Sequence, residues 1–338
     1  MMKIAVDAMG GDFAPHAVVA GAVEAAKEIG VGVILVGIEQ TIQEELRKHP
    51  AARSLPIEIR NATQVVDMHD SPSTVFRRKK DSSIRVANNL VKSGEAVAVI
   101  SAGNTGAAMA TSLFVLGALE GVERPAIAVF MPTIKGSCLV LDMGANVDCK
   151  PVHLLQFGIM GEVFTKYLRK NPNPRVGLLS IGEEATKGNE LTKEAFRLLK
   201  ETSLNFIGNV EGRDMMMGKA DVIVCDGFIG NVVLKISESV AESIRTILRE
   251  NIGDNLIRKL GYFMMKPAFQ ALKRKVDYAE YGGAPLLGVN GVSIISHGRS
   301  SPRAIKNAVR VAAEIARSDV NKHIHEDIKR NMELAKIK

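Results

Sequence analysis

Ala96-Val97-Ala98-Val99-Ile100-Ser101-Ala102-Gly103-Asn104-Thr105-Gly106 passes from an apolar, β-branched run through a loop of small residues into an Ala-rich helical stretch. A run with no polar face is what a strand buried on both sides requires, and a helix directly after it completes a strand–helix unit. The same succession recurs along the chain. Apolar runs lie at Lys3–Val6, Val31–Val36, Ala126–Phe130, Cys138–Leu141, Arg175–Leu179, Asp221–Val224 and Val292–Ile295, with helical stretches such as His16–Glu28 and Thr105–Leu119 between several of them. This alternation predicts an α/β protein with a parallel or mixed sheet covered on both faces. The 338 residues allow two domains or one large unit with lobes; lacking an internal repeat or a low-complexity linker, residues 1–338 are read as a single domain.

Composition removes several classes of function. Hydrophobic residues at 46% and charged residues at 24% exclude wholesale disorder, and 4% aromatics without Trp make a stacking platform for single-stranded nucleic acid a poor fit. The net charge of +7 attracts phosphate esters, nucleic acid, anionic lipid or an acidic protein without choosing among them. The excess gathers at Arg77-Arg78-Lys79-Lys80, in the stretch Arg258–Lys275 and in the C-terminal tail, and each cluster also reads as a solvated face. Cys138, Cys149 and Cys225 show neither a disulfide framework nor metal spacing. Cys138 and Cys225 fall in strand-like runs as packing residues, and nothing near Cys149 would lower its pKa. The apolar stretch at the N-terminus is too short for a signal peptide, and no window is long enough to span a bilayer. A cytoplasmic protein that can touch a membrane is expected.

In such sheets, ligands bind beyond the carboxyl ends of strands. Six loops of small and polar residues fall at those positions. Asp7-Ala8-Met9-Gly10-Gly11-Asp12 leads into a helix opened near Pro15, and its paired glycines allow close backbone approach or simply a tight turn. Ser101-Ala102-Gly103-Asn104-Thr105 places backbone N–H groups and a helix start at the crevice; Asn104 and Thr105 can donate to a carbonyl or phosphate, or act as capping residues. Leu141–Asn146 follows a third strand, and Ile181–Glu190 presents Lys187 among glycines as an oxyanion contact or a surface lysine. Cys225–Asn231 and Ile295–Pro302 complete the set, the last placing His297 and Arg299 just before a helix. Together the six argue for one composite crevice. The signatures of phosphate-binding NTPases, nicotinamide-binding folds and nucleophile-elbow hydrolases are missing, and His323 with His325 reads as a solvated pair, so neither a metal nor a cofactor is expected.

VDAMGGDFAP (6–15), SAGNTGA (101–107), LDMGAN (141–146), GEEATKGNELT (182–192), DVIVCDGFIGN (221–231), YGGAPLLGVNG (281–291) and SHGRS (296–300) resemble, in content and order, the bacterial acyl-ACP:phosphate acyltransferases, the PlsX family of phospholipid synthesis. The matches span nearly the whole chain. A fainter similarity to phosphotransacetylases lies at Gly230–Lys235 and Gly288–Arg299. The resemblance implies a three-layer Rossmann-like αβα sandwich of the isocitrate/isopropylmalate dehydrogenase-like type, with two lobes around a cleft, and a homodimer. It implies long-chain acyl-ACP and inorganic phosphate as substrates, and acyl phosphate and free acyl carrier protein as products. The acyl phosphate would feed phosphatidic acid synthesis through a membrane glycerol-3-phosphate acyltransferase.

A thioester is already activated, so phosphate can attack it directly, and catalysis falls to alignment and electrostatic stabilisation. On that basis Lys187, the Gly10–Gly11 turn and Arg299 are assigned to phosphate, and Asn104 and Asn231 to the acyl oxygen. Ser101, Gly103, Thr105 and Gly230 line the same loops. Asp7, Asp142 and Asn146 are expected to shape them by hydrogen bonding. His297 is a proton donor to the departing thiolate or a structural residue. Arg77–Lys80 or the Arg258–Lys275 stretch would dock the acidic carrier protein. Within Ile252–Tyr278, the apolar Tyr262-Phe263-Met264-Met265 among basic residues reads as an amphipathic membrane tip, a dimer contact or a lid on an acyl tunnel. The rival readings are a dehydrogenase of the same fold, a non-catalytic regulator that binds the carrier, and short-acyl transfer from coenzyme A.

Overall fold

Ala126–Phe130, expected as one strand, is where the chain leaves one sheet for another. Its first half, β5 (Ala126–Ile127), ends a seven-stranded sheet, and its second half lies in β6 (Val129–Thr133), which edges a five-stranded one. The split has a local cause. The Ile127 amide donates to the Asp142 carboxylate at 2.9 Å, and the Ala128 amide to the Pro285 carbonyl at 3.0 Å. These bonds turn neighbouring residues toward different sheets.

The computed structural model describes all residues except 254, 277–281 and 338, and the side chains of residues 72–73, 76 and 270–276 are also outside the description. The end of the expected Ile252–Tyr278 insertion and Tyr281 of the YGGAPLLGVNG segment therefore lie outside the described residues.

The first sheet runs in the order β3 (Ile57–Asn61), β2 (Gly32–Gly37), β1 (Lys3–Asp7), β4 (Ala98–Ser101), β12 (Val292–Ile295), β11 (Ala284–Leu287), β5. From β3 to β12 the pairing is parallel; β11 and β5 add antiparallel pairs. The second sheet runs β6, β7 (Gly136–Leu141), β10 (Val222–Val224), β8 (Val176–Leu179), β9 (Phe206–Val210), with only the β6–β7 pair antiparallel. This is a mixed α/β fold with two mainly parallel sheets. Three strands escaped the apolar-run reading for separate reasons. β3 and β9 are edge strands, β3 without a buried residue and β9 buried only at Asn209 and Val210, and β11 contains Pro285.

Alternate residues of the strands feed two cores. Ile4 and Val6 pack with α1 (His16–Ile29) and α11 (Pro302–Arg317), while Ala5 faces α4 (Ser83–Lys92) and α5 (Thr105–Leu116). In the second sheet Leu139 and Leu141 pack with α6 (Pro151–Arg169) and α7 (Glu190–Lys200), and Cys138 and Val140 with Met215 of α8 (Gly212–Met217). Both sheets are thus clad on both faces, each buried aliphatic side chain contributing about 1.5–3 kcal/mol. α2 (Glu39–Leu46), α3 (Pro72–Arg78) and α12 (Val320–Leu334) complete the covering.

α9 (Gly227–Ile252) starts against the core and then leaves it. Only Gly227 and Gly230 are buried, whereas Ile229, Val232, Ile236, Val240, Ile244 and Ile247 form an exposed stripe three or four residues apart. α10 (Leu256–Val276) follows it, so the amphipathic region is a pair of helices beginning at Gly227, larger than the expected insertion at 252–278. The pair is anchored where Gly230 meets the loop after β7: a Cβ on Gly230 would lie 1.9 Å from the Asp142 carbonyl oxygen. Helix propensity alone favours Ala over Gly by about 1 kcal/mol. Overpacking against immobile backbone typically costs about 1–3 kcal/mol, occasionally more. Gly230→Ala is therefore expected to lower the urea midpoint of unfolding; an unchanged or raised midpoint would show that α9 can move off the loop at no cost.

Candidate active site

Three of the six loops meet at the carboxyl edge of the first sheet, where β1, β4 and β12 are neighbours. The Asp7 carboxyl is buried at the end of β1 and accepts from the Ser101 hydroxyl at 2.7 Å and the Met9 amide at 3.2 Å. Ser101 in turn accepts from the Gly103 amide at 3.1 Å, and the Ser83 hydroxyl and Gly10 amide also reach Asp7. Burial pushes the Asp7 pKa above its ordinary 3.8, against the pull of these hydrogen bonds. Gly10 lies so close over this arrangement that a Cβ would meet Asp7 Oδ2 at 2.7 Å and the Gly103 amide at 2.8 Å. The third loop closes over the first: the Asp12 amide donates to the Gly298 carbonyl at 2.7 Å, and Arg299 Nε lies 3.9 Å from Asp12 Oδ2. His297 accepts from the Arg299 amide at 3.1 Å through Nδ1, which orients its ring within the loop.

Asn104 stands at the start of α5 with both ends of its side chain engaged. Its oxygen accepts from the Ala107 amide at 2.9 Å, capping the helix, and Nδ2 donates to the Met68 carbonyl at 2.6 Å. A longer contact, 3.4 Å, reaches the Asp70 carbonyl. The segment carrying Met68 and Asp70 was not among the loops singled out. Its run Asp67-Met68-His69-Asp70-Ser71-Pro72 signals a turn, and nothing local shows that it folds across another loop.

The other three loops stand at the carboxyl edge of the second sheet, where β7, β10 and β8 are neighbours. Asp142, fully buried, accepts from the amides of Ile127, Ala145 and Asn146 and from Asn146 Nδ2, at 2.7–3.1 Å. Here too burial raises the carboxyl pKa. Asn146 also donates to the Pro125 carbonyl at 2.8 Å, tying the loop back to the first sheet. The start of α9 is held on this loop by the Gly227 amide, which donates to the Asn146 carbonyl at 2.8 Å, while Asp226 caps the helix. Asn231, one turn into α9, faces Gly144 and makes no hydrogen bond through its side chain among the described residues. Lys187 lies in the loop after β8, exposed and without an ion pair among the described residues. Thr105 and Gly230 sit in the first turns of α5 and α9.

Most of the loop N–H groups described are spent on Asp7, Asp142 and loop carbonyls, while the Lys187 amine and the Asn231 amide have no partner among the described residues. The thiols are poor nucleophiles: burial pushes Cys138 up to about 12, Cys149 to about 11, and Cys225 well above its ordinary value. His323 is not simply solvated, because its ring stacks on Tyr167 with centroids 3.8 Å apart, and His325 bonds the Glu120 carbonyl at 3.1 Å.

Residues 2–323 match the family model described as "Fatty acid synthesis protein". A Phosphate acyltransferase of Geobacter sulfurreducens is 56% identical over 325 residues, covering 96% of this chain and 94% of the relative. The chain belongs to the phosphate acyltransferase family. A second member, from Thermodesulfovibrio yellowstonii, is 53% identical over 98% of this chain and 96% of its own. In fold, a phosphotransacetylase from Staphylococcus aureus aligns with a TM-score of 0.62 and 17% identity over 93% of this chain and 94% of that one. For a phosphate acyltransferase of lipid synthesis the acceptor is an anion.

The raised pKa of Asp7 gives a sign to the pH dependence of stability. A carboxyl whose folded pKa lies above its unfolded value contributes fully below the unfolded pKa, and that contribution is lost as pH rises through the folded pKa. Asp7→Asn, whose amide can donate to Ser101 or Ser83 instead, is expected to flatten the decline of stability above about pH 4. Urea midpoints measured from pH 4 to 8 would test this, and an unaltered slope would remove Asp7 as its source.

Proposed function

We propose that this phosphate acyltransferase takes a long-chain acyl group from acyl carrier protein, and that the acyl phosphate passes to a membrane glycerol-3-phosphate acyltransferase. The observation that carries the reading is an array of two donors at one sheet edge, the Lys187 amine and the Asn231 amide, both without partners among the described residues in the segments after the neighbouring strands β8 and β10, with every thiol held protonated by burial. Such an array suits direct transfer. An oxygen of hydrogenphosphate adds to the thioester carbonyl, the C–O bond forms as the C–S bond breaks, and the hydrogenphosphate proton ends on the carrier thiol. Lys187, the Gly10–Gly11 turn and Arg299 hold phosphate, and Asn231 donates to the acyl oxygen, its side-chain amide being otherwise unengaged among the described residues. Asn104 acts through its loop, because its own donors are spent on Met68 and Asp70. Asp7, Asp142 and Asn146 fix the loops, with Ser101, Gly103, Thr105 and Gly230 around them, and His297 is available to the leaving thiolate.

Because these groups stand on two sheet edges, the proposal includes two lobes facing across a cleft, in the manner of the isocitrate/isopropylmalate dehydrogenase-like folds. The exposed stripe of α9 supports a homodimer, since an apolar face of that length favours a cover. The exposed Tyr262, Phe263, Met264 and Met265 of α10, beside Lys266, support peripheral contact with an anionic membrane; among the described residues no helix is long and apolar enough to cross one.

Lys187→Ala is expected to lower kcat/KM for phosphate about a hundredfold with palmitoyl-ACP as donor. Near-normal turnover and phosphate affinity would remove Lys187 from the site, and activity with acetyl-CoA alone would replace the long-chain donor with a short one. For the membrane contact, Phe263→Asp should abolish co-sedimentation with anionic vesicles while leaving activity in solution intact; retained binding would assign the tip elsewhere.

A further inference from the structure

The residues between β3 and α4 form a compact excursion whose ends are clasped together. Gln64 bridges Ser82, its amide donating to the Asp81 carbonyl at 3.1 Å. Thr63 donates to Asp81 Oδ2 through both its amide, at 2.8 Å, and its hydroxyl, at 2.6 Å. Lys79 fills the inside, donating to the Val65 carbonyl at 2.7 Å and to Asp70 at 2.5 Å, with Asp67 3.7 Å away. One wall of the loop is set against the active site through Asn104 and the Met68 carbonyl, and the Met68 methyl lies over Gly298.

The run Arg77-Arg78-Lys79-Lys80 is therefore divided by the fold. Lys79 is neutralised inside, whereas Arg77, Arg78 and Lys80 are exposed and make no ion pair among the described residues. Among the described residues no carboxylate of the loop pairs with them: Asp70 and, at longer range, Asp67 are turned to Lys79, and Asp81 is held by Thr63. Beside this rim, Phe114 of α5 is 54% exposed under the guanidinium of Arg85, 5.7 Å from its ring centroid. A basic rim on the same loop that walls the site, with an exposed aromatic beside it, suits an acidic partner that must deliver a tethered group there. The basic residues at the start of α10, Arg258 and Lys259, are placed differently. α9 carries the chain away from the site for about 39 Å at 1.5 Å per residue before α10 begins.

We infer that Arg77, Arg78 and Lys80, with Arg85 and Phe114 beside them, are the docking surface for the acidic acyl carrier protein, and that α10 is not. The inference rests on the proposed donor. Opposite charge steers the encounter and fixes its orientation, so its removal is felt in KM and in salt dependence before kcat.

The test compares the full-length Arg77→Glu/Arg78→Glu/Lys80→Glu protein with a Lys259→Glu/Lys266→Glu protein. The donors are palmitoyl-ACP and palmitoyl-phosphopantetheine, which shares the thioester arm but has no protein, and no membrane is present. KM for palmitoyl-ACP is expected to rise about tenfold in the first variant only, with kcat and the KM for the small donor unchanged. Equal KM values in variant and parent would overturn the docking surface, as would a rise confined to the α10 variant. A rise with both donors in the first variant would also overturn it, by placing the rim in the site instead. If the unaltered protein acylates phosphate from acyl-CoA but not from palmitoyl-ACP, the donor reading fails on its own. Anisotropy of labelled acyl carrier protein with parent and variant then decides docking, unequal affinities supporting the surface and equal ones rejecting it.

Discussion

A buried carboxyl at the end of a parallel strand must find donors at once, because leaving it unpaired in a low-dielectric interior costs more than any neighbouring contact returns. Asp7 and Asp142 meet that requirement with loop amides and small polar side chains, and the loops take their shape from it. Around Asp7 the bonds join the loop after β1 to the loop after β4; around Asp142 they join the loop after β7 to β5 and, through Asn146, to the start of α9. The small residues at these places follow from the crowding. Gly10 has no room for a side chain above Asp7, nor has Gly230 above the Asp142 backbone.

The two edges are built alike. Each has an Asp closing one strand, a neighbouring strand that leads into a helix, and a capping side chain at that helix start: Asn104 for α5, Asp226 for α9. The likeness comes from equivalent physical demands rather than from a detectable sequence repeat. They differ in what remains available. Asn104 is consumed by its cap and by Met68, whereas Asn231 and Lys187 have no side-chain partner among the described residues. The first edge is consequently the more fully hydrogen-bonded, and the second keeps two side chains without partners among the described residues.

The same accounting separates buried from working charge on the surface. Lys79 spends its charge on Asp70, while Arg77, Arg78 and Lys80 of the same run stay outside. A positive net charge thus becomes directional only after folding decides which side chains are neutralised. α9 and α10 repeat the point for apolar residues, since their stripe is ordinary helix periodicity in sequence and an uncovered surface in the folded chain.

Much of the fold was legible in the chain itself. Strands buried on both faces must be apolar throughout, so β1, β2, β4, β7, β8, β10 and β12 announce themselves, and the polar small-residue loops after six of them mark their carboxyl ends. Edge strands such as β3 and β9 carry a weaker pattern because one side meets solvent. What the tertiary structure decided is which strands lie side by side. It divided Ala126–Phe130 between two sheets, gathered six loops into two groups of three, and folded the Asp67–Pro72 turn over Asn104. Those outcomes depend on pairings between distant segments, such as β12 against β4. Their energy resides in shared burial and in hydrogen bonds that no single stretch of sequence contains.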